Sequence, residues 1–242
     1  MVRLSLFAVV ALLLMACASP SATTPTPPAD TAPAVPTDTK PLAEPTTAPP
    51  PAPTDVPAAP ADAPARTFVI DGARSSAEYA VDEVFLSENR PYRAVGTTNA
   101  LAGEFEVVTA GAIGGQVTRM RVDLRALQSD SPRRDNAIRG RWLESDTYPY
   151  ADFVSTDALD LPADYTEGSE VTFTLVGDMT IRDVTKSVTW TVVGVLQDGV
   201  VTGTATTSIV MSDFGFSPPN IANMIKVEDK ADLTVNFVAV EQ

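Results

Sequence analysis

Apolar and polar side chains alternate with a period of two through most of the chain after residue 66. Ala77, Tyr79 and Val81 alternate with Glu78, Ala80 and Asp82, and Phe105 and Val107 with Glu104 and Glu106. Met120, Val122 and Leu124 are separated by Arg121 and Asp123. Val171, Phe173, Leu175, Met179 and Ile181 share one parity, and Thr172, Thr174, Asp178 and Thr180 the other. Val188, Trp190, Val192 and Leu196 repeat the pattern, as do Leu233, Val235 and Phe237. Successive side chains of a strand point to opposite faces, so this pattern predicts half-buried strands. Asp198-Gly199 predicts a tight hairpin between runs 187–196 and 200–210. Longer loops are predicted over 111–115 and 163–168. Strands joined this way make an all-β antiparallel barrel or sandwich.

One segment breaks the alternation. In residues 131–143, SPRRDNAIRGRWL, Ser131 is a helix N-cap and Pro132 suits the first helical position. Ile138 and Trp142 fall on one helical stripe. The prediction is one short helix ending before Tyr148-Pro149.

A barrel of about eight strands either fills its interior with side chains or holds one small ligand. The inward parity carries Phe, Leu, Met, Val and Trp, and the carboxylates fall mainly outward. Such a lumen suits an apolar ligand. A fully packed core produces the same periodicity, so the pattern leaves both open.

Upstream of residue 66 the chain is a different material. Of 21 prolines, 15 fall between residues 20 and 64, whereas all 13 glycines fall after residue 71. Residues 18–65 contain neither aromatics nor glycine, and too little apolar area to offset the entropy of ordering. They read as a disordered, proline-extended linker reaching at most about 150 Å. Behind Arg3, residues 4–16 are apolar apart from Ser5, a run too short to span a bilayer comfortably and typical of a secretory signal. Leu14-Met15-Ala16-Cys17 resembles the lipobox of bacterial lipoproteins, in which the cysteine is lipidated. The alternative is an ordinary signal peptide with a chance cysteine. The expected organisation is a lipoprotein signal peptide over 1–16, lipidated Cys17 and linker over 17–65, and a barrel domain over 66–242. The expected place is the extracytoplasmic face of the cell envelope, with the membrane held through the lipid anchor.

The chemistry open to this chain is narrow. It has no histidine and a single cysteine, which excludes internal disulfides, Ser-His-Asp and Cys-His catalysis, and zinc sites built on Cys and His. From residue 66 onward there are 26 acidic and 15 basic side chains, a net charge of −11, a poor match for nucleic-acid phosphates. No EF-hand-like spacing occurs. No catalytic residue, metal or cofactor is assigned, and the expectation is a binding protein rather than an enzyme, without a nucleic-acid partner.

Four segments in order carry a resemblance. Arg133-Arg134-Asp135-Asn136-Ala137-Ile138-Arg139 is followed by Trp142-Leu143 and by Tyr148-Pro149-Tyr150-Ala151-Asp152-Phe153. Then come Gly177-Asp178-Met179-Thr180-Ile181-Arg182-Asp183-Val184-Thr185-Lys186, Ser212-Asp213-Phe214-Gly215-Phe216, and a closing strand with Leu233-Thr234-Val235. Over residues 67–240 this resembles the YceI-like family. Asp183 stands where the family carries a glycine, Met211 where it carries an arginine, and residues 84–102 are longer than its usual first hairpin. The resemblance implies an extended, lipocalin-like antiparallel β-barrel that binds a polyisoprenoid or similar long-chain amphiphile in its lumen. The lining expected from inward parity and these motifs is Tyr79, Met120, Val122, Leu124, Phe153, Phe173, Leu175, Met179, Val188, Trp190, Val192, Ile209, Phe214, Leu233 and Val235. Seven arginines lie between 119 and 141. Arg133 and Arg134 are the candidates to meet a headgroup; the alternative is that these arginines are solvated and paired with Asp123, Asp130 and Asp135. The alternative function is a filled barrel acting as an envelope interaction or stress-related protein.

Overall fold

The computed structural model describes residues 65–110, 112–218, 220–221 and 224–242. The signal peptide, Cys17 and all but the last residue of the linker lie outside the described residues. In chain order the strands are β1 (Ala65–Ile70), β2 (Ser76–Phe85), β3 (Arg90–Thr98), β4 (Leu101–Ala110), β5 (Ala112–Asp123), β6 (Gln128–Ser129), β7 (Tyr150–Leu159), β8 (Glu170–Ile181), β9 (Val184–Gln197), β10 (Val200–Val210), β11 (Asn220–Ile221) and β12 (Ile225–Glu241).

These strands make eight staves. The first three staves are bent pairs: β1 with β2, β3 with β4, and β5 with β6. Ladders β1–β4 and β2–β3 continue one another across the bend. Each stave then pairs antiparallel with the next, and β12 closes the ring by pairing with β10 on one side and with β1 and β2 on the other. The first bend is a 3-10 turn, Gly72–Arg74, where Asp71 accepts from Ala73 N. Ser75 is buried there; its hydroxyl donates to Asp71 O at 2.8 Å and accepts from Val238 N at 2.9 Å. Side-chain bonding thus replaces the ladder bonds that the kink interrupts.

The hairpin signal at Asp198-Gly199 corresponds to φ values of 50° and 73°, the left-handed pair of a type I′ turn. In the β8–β9 turn it is Arg182, not Asp183, that has a positive φ, 59°, so the turn does not depend on a glycine at 183. Residues 84–102 are mostly ladder: β2 and β3 pair as far as Phe85 opposite Arg90, with a turn over residues 86–89.

The non-alternating segment is α1 (Pro132–Ala137), with Ser131 accepting from Arg134 N at its start, continued by a π turn over Ile138–Trp142. It lies at the end of the barrel that also carries the β2–β3 and β8–β9 turns and the Met211–Phe214 turn. Gly215 closes that last turn with φ 77°. Loop 160–169 and the β9–β10 turn mark the opposite end.

Candidate ligand-binding site

The inward side chains leave two cavities in tandem. The larger, about 420 Å³, lies toward the helical end. The smaller, about 140 Å³, lies toward loop 160–169. Met120, Phe153, Trp190 and Val235 line both and form a waist between them. At the waist the Phe153 and Trp190 rings meet edge to face, with centroids 6.0 Å apart at 72°.

The register positions the aromatic walls. Tyr79 pairs across the β2–β3 ladder with Gly96, and a Cβ on Gly96 would stand 2.2 Å from Tyr79 Cε1. The Phe153 ring lies similarly close to Gly177, 2.5 Å from a Cβ placed there, and the Phe237 ring to Gly203, at 2.7 Å. Each ring therefore reaches over a position without a side chain, into space that a Cβ would otherwise fill.

Of the side chains expected to line the lumen, Tyr79, Met120, Val122, Leu124, Phe153, Met179, Trp190, Ile209, Leu233 and Val235 line the larger cavity. Phe173, Leu175 and Val192 line the smaller. Val188 and Phe214 line neither of these two cavities. Both are buried in the main core cluster, where neighbouring side chains occupy the space around them; parity assigns a face, not access to the void. Phe214 sits in the 3-10 turn after β10, as a plug of the helical end.

The two headgroup candidates differ. Arg133 lines the larger cavity, is exposed, and has no ion pair among the described residues. Arg134 is engaged: its guanidinium donates to Glu83 at 3.2 Å and to Asp130, and stands 5.6 Å from the Tyr92 ring centre. The Tyr92 hydroxyl and Arg134 hold the Asp130 carboxyl below its ordinary value. Among the other arginines, Arg121 pairs with Asp152 and Arg125 with Asp123. Asp135, expected to pair with an arginine, instead accepts from Ser129 N at 2.9 Å and Ser129 Oγ at 2.6 Å, which ties the helix start to β6.

Several lining residues were not anticipated. Glu83 is buried and lines the larger cavity; the period-two step from Val81 was its signal. Trp142, Leu143 and Ile138 cover the helical end, and exposed Met224 marks where the cavity reaches the surface. Tyr165 and Phe237 line the smaller cavity. Among the described residues no group of three His, Cys, Asp or Glu side chains converges as a metal site.

Two side chains of the larger cavity's lining carry a polar atom that is closed off from the void. Tyr79 Oη and Trp190 Nε1 are buried and have no hydrogen-bond partner among the described residues. Burial pushes the Tyr79 phenol up to about 12, so it stays protonated across the physiological range. Ser145 Oγ and Arg182 Nε are likewise unpartnered but line neither cavity.

Two solved structures show the fold. BcnA of Burkholderia cenocepacia aligns with a TM-score of 0.56 at 20% identity, over 71% of this chain and 99% of that one. A polyisoprenoid-binding domain from Saccharophagus degradans, implicated in plant cell wall breakdown, aligns at 0.56 and 12% identity, over 72% and 98%. No curated protein matches the sequence. The model of the YceI-like domain matches residues 68–239, nearly the whole described barrel. The chain is a member of the YceI-like family.

Proposed function

We propose that this protein is a membrane-tethered, extracytoplasmic carrier that holds a polyisoprenoid or other long-chain amphiphile in its barrel, without catalysis. The observation that carries the reading is the larger cavity: about 420 Å³ walled mainly by apolar side chains, within the range of small-molecule sites. A filled barrel acting only through its surface would not leave that volume. Each buried CH₂ contributes about 0.8 kcal/mol, so a chain of ten carbons offsets much of the cost of immobilisation. The name of the Saccharophagus domain supports the choice of an isoprenoid chain. The signal-like segment, the lipobox-like Cys17 and the proline-rich spacer support export, anchoring and reach.

The test is native mass spectrometry of the protein purified from a bacterial envelope without detergent, followed by solvent extraction. An added mass of a long-chain lipid, released on extraction, is the expected result. Bare protein mass, unchanged after incubation with polyprenyl lipids, would move the function to a surface interaction module. The same spectrum reads the anchor, since acylation at Cys17 adds a covalent mass that extraction leaves in place.

A further inference from the structure

The larger cavity is apolar over most of its wall, with a charged cluster toward the helical end. Alternate residues of β2, Ala77, Tyr79, Val81, Glu83 and Phe85, line it, so Glu83 sets a carboxylate among apolar neighbours. That side chain is 7% exposed. Arg134 reaches it from α1 at 3.2 Å, but the same guanidinium also donates to Asp130 and to Ser129 Oγ. The Ser129 hydroxyl in turn donates to buried Asp135. Arg133 lines the same cavity. The cluster thus sets three carboxylates, Glu83, Asp130 and Asp135, against two guanidinium groups. A buried carboxylate is costly even when paired, and a well-packed apolar residue in its place is often as stable or more so. Stability alone therefore does not account for Glu83 in this wall, and a polar end on the ligand does.

We infer that Glu83 selects an uncharged, hydroxyl-bearing headgroup and rejects a phosphorylated one. A carboxylate only accepts hydrogen bonds and a guanidinium only donates them, so the two side by side match a hydroxyl, which does both. Arg134 bonds Glu83 at Oε1, and a carboxylate offers about four acceptor sites, so Glu83 keeps capacity for a ligand donor. A phosphate brings acceptor oxygens and negative charge. It would add that charge where carboxylates already outnumber cations and face Glu83 with a second anion, in a wall of low dielectric that strengthens the repulsion. The inference rests on the carrier reading and narrows it to long-chain alcohols over their phosphates.

The test compares geranylgeraniol with geranylgeranyl monophosphate, chains of equal length, added to the full-length protein and to its Glu83→Gln variant. Binding is read by displacement of a fluorescent apolar probe. The quantity compared is the ratio of the two affinities, because any difference in water solubility between the compounds is the same for both proteins. The wild type is expected to favour the alcohol, and the ratio is expected to fall about tenfold in Glu83→Gln, where the like charge is gone. The alcohol itself should bind the variant within about threefold, since an amide oxygen still accepts. A ratio that Glu83→Gln leaves unchanged, or a wild type that favours the phosphate, overturns the inference. Failure of both compounds to bind the wild type overturns the carrier reading instead. Should Glu83→Gln not fold, Asp130→Asn decides, because that carboxylate is 61% exposed and its loss leaves the cavity wall intact. The ratio is then expected to fall about threefold, and an unchanged ratio overturns the inference.

Discussion

The Tyr79 ring lies across Gly96 so closely that a single added Cβ would stand 2.2 Å from its Cε1 atom. Gly96→Ala must therefore push the ring into the larger cavity or displace β3. The expected cost is about 1–3 kcal/mol in urea unfolding, with weaker binding of an apolar fluorescent probe. Unchanged stability and binding would mean that the ring is not seated there.

Val188 and Phe214 separate stability from binding. Both are buried but line neither cavity. Phe214→Ala is expected to cost about 3–5 kcal/mol, while the folded fraction keeps the wild-type affinity for the probe. Phe153→Ala costs a comparable amount and also changes binding, because it opens the waist. Denaturation and probe titration on the same samples distinguish the two.

Neighbouring arginines should behave differently. Arg134→Ala leaves Glu83, whose side chain is 7% exposed, without its cation. The expected loss is about 2 kcal/mol or more. Arg133→Ala removes an exposed side chain, and stability should stay within about 0.5 kcal/mol. Vesicle pull-down with anionic lipid headgroups then shows whether Arg133 takes part in ligand uptake.

Stability should be flat between about pH 5 and 8 and fall in acid. The chain has no histidine, the side chain that ordinarily titrates in that window. Hydrogen bonds from Arg93, Ser208 and Lys230 hold Asp232 well below the ordinary carboxylate range, and Arg74, Arg125 and Arg66 lower Asp71, Asp123 and Glu241. A carboxylate lowered in the folded state contributes stability that is complete above its unfolded value, about 4, and lost as pH falls toward its folded value. Melting temperature measured from pH 8 to pH 2 should hold, then drop below about pH 4. A midpoint that already moved between pH 8 and 6 would contradict this account.

Much of the barrel was legible because its signals are local. The alternation through Val171 to Ile181 identified the inward face of β8, Ser131-Pro132 the start of α1, and Asp198-Gly199 a hairpin. Features that depend on register were not. Tyr79 meets Gly96, and Phe153 Gly177, only once strands are aligned, and Arg134 meets Glu83 across 51 residues. Val188 shares the parity of Trp190 but not its access to the lumen, because depth along the barrel is invisible to a period of two. The length of residues 84–102 gave no sign that they would extend a ladder instead of a loop.

The staves follow one another around the ring, so all but one of the contacts between them join neighbours in the chain. The exception is β12, which alone joins the last stave to the first. Seven staves can form hairpins as they emerge, yet none of them can close the lumen before β12 arrives. A chain threaded through a translocation channel from its amino end would remain an open, unsealed sheet until that strand followed. The order of the strands makes sealing of the lumen the last step open to the chain.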